Sequence, residues 1–261
     1  MKYVFFDIDS TLVSHVNGAH IPHATREALR LLKLNGHVPA IATGRGGFLS
    51  QITAREFGID MLVCSGGAEI FHNGERIFTR YLCDDVLNEF VAIARKFPEV
   101  SAALDEKYLY TDIKFEDFRE YFNSQAGYDC FRPLSDLRRA IICYIMLPPE
   151  KIDSAYGFFF AGNSDSRITL ELMRNFVEAR ALNMTKWHGI EFAVERAGGK
   201  VSDVIAFGDG ANDVDMLRNA PIGVAVKRSH ELAREAADFV SEDIDDGGIL
   251  KACRDLGLVK I

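Results

Sequence analysis

The sequence predicts an α/β protein in which a parallel sheet, covered on both faces by helices, is interrupted by a separate α+β module. Three observations carry this expectation. Four short apolar runs stop abruptly at polar or glycine-rich turns, helical patterns separate most of them, and beyond residue 68 the rhythm gives way to a hairpin signal and mixed elements. Near-continuous apolar strands alternating with helices suit a parallel sheet, because parallel neighbours need crossover connections.

The first run is YVFF, ending at Asp7. Pro22 then suits the first turn of a helix in which Ala24, Ala28, Leu31 and Leu32 recur at helical spacing and which Gly36 closes. PAIA before Thr43 is the second strand, followed by a helix carrying Phe48, Leu49, Ile52 and Phe57 and stopped by Gly58. MLVC before Ser65 is the third, and DVIAF before Gly208 and Asp209 is the fourth. In AEIFHNGERIF, residues 68 to 78, Asn73-Gly74 between apolar segments predicts a two-residue hairpin.

From Leu82 to Ala181 the elements are mixed. The pattern predicts a helix over Asp84 to Phe97, strands near Val100 to Leu104 and Tyr108 to Thr111, a helix near Lys114 to Asn123 and a strand over Ala140 to Leu147. Pro148-Pro149 breaks the chain before a helix over Lys151 to Phe160, whose Phe158, Phe159 and Phe160 suit a core, and a strand pair over Arg167 to Ala179. The expected division is residues 1–81 and 182–261 as one domain and 82–181 as an insert. The acidic SEDIDDGG, residues 241 to 248, reads as the solvated start of a helix.

Composition narrows the function classes. The 261 residues are 48% hydrophobic and 26% charged, enough to bury a sizeable core. A formal charge of −8 speaks against nucleic acid or an anionic membrane surface as partner. The five cysteines are scattered and never spaced C-x-x-C, which argues against a zinc site or disulfide framework and for a reducing, cytoplasmic location. Asp7 and Asp9 interrupt the only N-terminal apolar run, and no stretch approaches the ~20 apolar residues of a spanning helix, so a soluble protein is expected.

In open parallel sheets, ligands bind beyond the carboxyl ends of the strands, which would gather Asp7, Asp9, Thr43, Ser65 and Asp209 along one edge. Asp7 and Asp9 taken alone also suit helix capping. A second acidic cluster changes the balance: GDGANDVDML, residues 208 to 217, presents Asp209 and Asp213 after another buried strand, with Asn212 between. Crowded carboxylates need a cation or proton, and hard oxygen ligands favour Mg²⁺. Thr43 and Gly44 would put a hydroxyl and backbone N–H groups at a helix start, an anion site with Arg45 beside it, and Lys186 would add a point charge. The segment 208–217 is no EF-hand, GGKVS (198–202) is no P-loop, and G-x-S-x-G is absent. Phosphoryl transfer uses all of these parts, because a carboxylate can attack phosphorus only when charge repulsion is relieved.

These motifs resemble the haloacid dehalogenase-like (HAD) hydrolase superfamily, and within it the Cof-type phosphatases with a subclass IIB cap. DIDST (7–11) resembles the D-x-D-x-T motif, TGR (43–45) the second motif, Lys186 the third, and GDGAND (208–213) the fourth. The resemblance implies a Rossmann-like core with an inserted α+β cap, Asp7 as nucleophile and Asp9 as acid/base. It implies Mg²⁺ held by Asp7, the Asp9 carbonyl, Asp209 and Asp213, with Thr43, Gly44, Lys186 and Asn212 around the phosphoryl group. Three departures stand out: Ser10 replaces the usual glycine, Gly66 the usual asparagine and Trp187 the glycine that usually follows the lysine, with Lys200 the alternative third-motif residue. His15, His20 and His23 are spaced as loop residues rather than as a metal trio.

The expected partner is a small phosphorylated metabolite, with an insert that covers the strand ends and limits substrate size. A phosphosugar mutase or phosphotransferase of the same fold, and a non-catalytic ligand sensor, are the rival expectations.

Overall fold

A computed structural model describes residues 1–16, 18–113, 119, 123, 129–146, 167–172 and 176–260. Two compact units result: Met1–Arg45 with Thr53–Ile77 and Thr185–Ile261, and Gly46–Ile52 with Phe78–Met184.

The first unit is built on an eight-stranded sheet. In chain order its strands are β1 (Tyr3–Phe6), β2 (Val38–Ala42), β3 (Met61–Cys64), β4 (Glu69–His72), β5 (Glu75–Thr79), β12 (Val204–Gly208), β13 (Ile222–Ala225) and β14 (Phe239–Val240), in the spatial order β14-β13-β12-β1-β2-β3-β4-β5. From β14 to β3 all pairings are parallel, and β4 runs antiparallel to β3. Every residue of β1, β3 and β12 is buried, as expected for strands covered on both faces.

One face carries Val4, Phe6, Ile41, Leu62, Ile205 and Phe207 against helices α1 (His23–Leu34) and α7 (Gly248–Asp255), through Leu29, Leu32, Ile249 and Cys253. Phe6 and Phe207 stack at 4.8 Å between ring centroids, which ties β1 to β12 by packing as well as by the ladder. The opposite face meets helix α4 (Lys186–Arg196), where Gly189 packs closely on Val63. Helices α5 (Val214–Asn219) and α6 (Glu231–Ala236) follow β12 and β13. At the β4–β5 turn, Asn73 and Gly74 take positive φ of 54° and 79°, the backbone that a tight hairpin demands.

Among the described residues, the second unit has a six-stranded sheet in the order β10-β11-β9-β6-β7-β8, comprising β6 (Ser101–Leu104), β7 (Leu109–Thr111), β8 (Phe131–Arg132), β9 (Ile142–Met146), β10 (Ile168–Leu172) and β11 (Phe176–Ala181). All pairings are antiparallel except β7–β8. Helix α3 (Asp84–Ala94) lays Val86, Leu87 and Phe90 on Ala103, Cys143 and Ala179. Between these strands and helices the chain forms an α+β insert, and α2 (Gly47–Phe57) lies between β2 and β3.

Several expectations need correction. Helix α3 ends at Ala94 rather than Phe97, because Pro98 excludes the residue before it from helical backbone, and Phe97 takes φ −134°. The β10–β11 pair extends to Ala181, and the last strand of the middle group starts at Ile142 instead of Ala140. The acidic start of α7 is not wholly solvated: Asp243 and Ile244 are buried, with Asp243 paired to Arg228 and capping the turn at Asp245. The helices expected near Lys114 to Asn123 and over Lys151 to Phe160 lie largely or wholly outside the described residues.

Candidate active site

The central strands deliver the acids. Asp7 directly follows β1, and its N–H donates to the Phe207 carbonyl of β12 at 3.0 Å, so the end of one strand is held against the end of the other. Asp209 and Asp213 follow β12. The Asp213 carboxylate folds back to accept the N–H groups of Asp209 and Gly210 at 2.9 and 2.8 Å. Gly208 leaves room for this, since a Cβ there would lie 2.7 Å from that carboxylate.

Asp7, Asp209 and Asp213 each offer a carboxylate oxygen, and these atoms lie within 4.8 Å of one another. Lys186, at the first turn of α4, reaches the same point with its Nζ 2.6 Å from Asp7 and 2.5 Å from Asp213. Lys186 is 3% exposed, Asp213 0% and Asp7 7%, so water does little to screen them. Ionised together, three carboxylates against one ammonium would leave two negative charges uncompensated, a deficit that one divalent cation could fill.

The titration of these groups reflects that deficit. Burial holds the Asp7 carboxyl well above the ordinary carboxylate range; Lys186 opposes this, while Asp213, Asp209 and Asp9 add to it. Burial and the Asp213 carboxylate push Asp209 up to about 7, against the pull of the Thr11 hydroxyl that donates to it at 2.9 Å. Burial would lower the Lys186 pKa, but the Asp213 and Asp7 carboxylates raise it, so the ammonium stays charged.

Asp9 is treated differently. Both of its oxygens are gripped by the Arg45 guanidinium, Nε at 2.8 Å and Nη2 at 2.5 Å, and His15 Nε2 lies 3.0 Å away. Burial raises its pKa, but the Arg45 hydrogen bonds and charge, with His15, outweigh this and lower it. Asp9 thus stands as a carboxylate beside Asp7, whose carboxyl is harder to ionise.

Thr43 directly follows β2, is buried, and accepts the Arg45 N–H through Oγ1 at 3.2 Å. Gly44 lies near Asn212, where a Cβ on the glycine would be 3.8 Å from the amide nitrogen. The structure therefore joins Asp7, Lys186, Asp209 and Asp213 in one network, brings Gly44 to Asn212, and sets Asp9 against Arg45. Lys200 is exposed at the turn before β12, away from this network. His15 and His20 serve different carboxylates, Asp9 and Asp245. Sequence reasoning passed over two contacts. The Arg45–Asp9 fork was legible only as two motifs, and Asp215, which accepts the Trp187 N–H at the start of α4, carries no motif signal beyond its nearness to Asp213.

The sequence model of haloacid dehalogenase-like hydrolases matches residues 4–253. The chain belongs to that family. YkrA of Bacillus subtilis (strain 168), provisionally named a phosphatase, is 28% identical to this hydrolase over 261 residues, covering 99% of both chains. A phosphoglycolate phosphatase of Archaeoglobus fulgidus is 26% identical over 99% of this chain and 98% of its own. Among solved structures, a subclass IIB sugar phosphatase of the HAD superfamily matches with a TM-score of 0.84 at 27% identity, over 99% of this chain and 100% of that one. The hydrolase thus has the parallel-sheet core and inserted α+β cap domain of its family.

Proposed function

We propose that this hydrolase is a Mg²⁺-dependent phosphatase that cleaves a small phosphorylated metabolite, a sugar or cofactor phosphate, through an aspartyl-phosphate on Asp7. The observation that carries the proposal is the buried Lys186 ammonium shared by Asp7 and Asp213 within an acidic trio still two charges short of balance. The phosphatase names of its relatives, one of them a sugar phosphatase, support the substrate class.

Asp7, the Asp9 carbonyl, Asp209 and Asp213 would hold Mg²⁺, which supplies positive charge against the anionic substrate and the ionised nucleophile. Lys186 keeps Asp7 oriented, and with Thr43, Gly44 and Asn212 it would donate to the phosphoryl oxygens. In the first step a carboxylate oxygen of Asp7 bonds to phosphorus as the ester P–O bond breaks, and the leaving alkoxide takes a proton from Asp9. In the second, Asp9 as carboxylate takes a proton from water while the water oxygen bonds to phosphorus and the Asp7–phosphorus bond breaks, giving inorganic phosphate. The Arg45 grip suits the second role; the first requires the fork to loosen so that Asp9 can carry a proton. A reducing cytoplasm suits the dispersed cysteines.

A panel of phosphorylated metabolites assayed for released phosphate tests this reading. We expect phosphate release from a single substrate with Mg²⁺, loss in EDTA and recovery on re-addition, and no turnover by Asp7→Asn. Wild-type rates in Asp7→Asn sink the nucleophile assignment, and transfer between two sugar positions without net phosphate release favours a mutase.

A further inference from the structure

The turn Ser65–Gly67 after β3 has no part in the chemistry above, yet it touches both elements assigned to the phosphoryl group. On one side, Ser65 N–H donates to the Arg45 carbonyl at 2.8 Å and Gly66 N–H to the Thr43 carbonyl at 3.1 Å. On the other, Gly67 packs so closely on Thr185, the residue before Lys186, that a Cβ would lie 2.0 Å from the Thr185 carbonyl oxygen. All three turn residues have positive φ, 52°, 58° and 100°, and Ser65 bears a side chain in that rarely used region. Something has to hold it there.

The partner is Glu69 of β4. The Ser65 hydroxyl donates to its carboxylate at 2.6 Å, and both residues are fully buried. The other carboxylate oxygen lies 3.3 Å from the Arg76 guanidinium of β5. A buried carboxylate is costly unless paired and hydrogen-bonded, and here one of its hydrogen bonds comes from the strained serine of the turn.

We propose that Glu69 is a positioning residue: acting through Ser65, it fixes the turn that holds the Thr43–Arg45 segment and the start of the Lys186 helix at the spacing a phosphoryl group needs. The inference rests on the phosphate-binding role proposed above for Thr43 and Lys186. It assigns to the Ser65–Gly67 turn the task of keeping two phosphate-binding elements in register while the metal-binding acids stand on other strands.

The test uses the full chain carrying Glu69→Leu, Glu69→Gln or Ser65→Ala. Calorimetry gives Kd for inorganic phosphate at saturating Mg²⁺ and Kd for Mg²⁺ alone, and steady-state kinetics give kcat and KM for the best ester. Glu69→Leu and Ser65→Ala are expected to weaken phosphate about tenfold, the usual effect of losing a hydrogen bond to a charged group, and to raise KM similarly. Mg²⁺ affinity should stay unchanged, and Glu69→Gln, which keeps an acceptor for the Ser65 hydroxyl, should recover most of the loss. Unchanged phosphate affinity in Ser65→Ala overturns the proposal, as does an equal fall in phosphate and Mg²⁺ affinity, which marks general loosening. If Glu69→Leu does not fold, Ser65→Ala alone decides. A wild type that hydrolyses no phosphate ester overturns the functional reading and the inference with it, whereas an active wild type whose variants bind phosphate normally overturns the inference alone.

Discussion

At Asp209, burial and the neighbouring Asp213 push the carboxyl up to about 7, while the Thr11 hydroxyl and Lys186 pull against them. The unfolded chain releases this proton near 3.8, so between about pH 4 and about pH 7 the metal-free folded chain holds more protons than the unfolded one. Its stability therefore falls as the pH rises across that window, and Asp7, raised by burial, acts in the same direction. Mg²⁺ bound as proposed would compete with the proton for these oxygens and stabilise the ionised trio. We expect the rise in Tm on adding Mg²⁺ to be larger at about pH 8 than at about pH 5.5, read by calorimetry with and without the metal. Equal increments at both would show that the trio does not hold the cation.

Helix α4 shows how an element carries a residue to its task. Lys186 sits in its first turn, and that turn is fastened twice: Thr185 Oγ1 accepts the His188 N–H at 3.3 Å, and Asp215 accepts the Trp187 N–H at 3.1 Å. The negative Asp215 also lies favourably at the helix N-terminus. Asp215→Ala should lower stability by about 1–2 kcal/mol in urea unfolding and lower kcat further, as Lys186 loses its seat, with Asp215→Asn largely intact. An unchanged urea midpoint in Asp215→Ala would remove Asp215 from this role. The strands around the site were legible because their apolar runs break off at polar or glycine residues: Asp7 after β1, Thr43 after β2, and Gly208 with Asp209 at the end of β12. Asp215 was not legible, since its partner is a backbone N–H on a helix 28 residues earlier. Strands β8 and β14 escaped for a related reason. Each is two residues long, too short for any alternation, and β14 leaves Phe239 and Val240 half-exposed at the sheet edge, where only its partner β13 defines it. Lys186 was legible only as a point charge within the constellation, and its third-motif role came from the resemblance rather than from its surroundings in the chain.

For the whole molecule, substrate choice should follow the inserted unit rather than the acids, which the proposed chemistry needs whatever the substrate. We expect kcat/KM under one Mg²⁺ concentration to rank small sugar or cofactor phosphates above an aryl phosphate and a folded phosphoprotein last; a phosphoprotein ranked first would refute this. The two acidic clusters that meet beyond β1 and β12 have a consequence in time. Thr11 and Asp209, joined by a hydrogen bond, are 198 residues apart in the chain. A ribosome delivers β1 and its neighbour β2 early, but its other neighbour, β12, emerges only after the entire insert has been made. The insert, whose strands are contiguous in synthesis, can settle while the edge of β1 that faces β12 waits unpaired. The acidic site is then completed late in synthesis, and a message truncated before Val204 yields a protein carrying Asp7 without the strand that brings Asp209 and Asp213 to it.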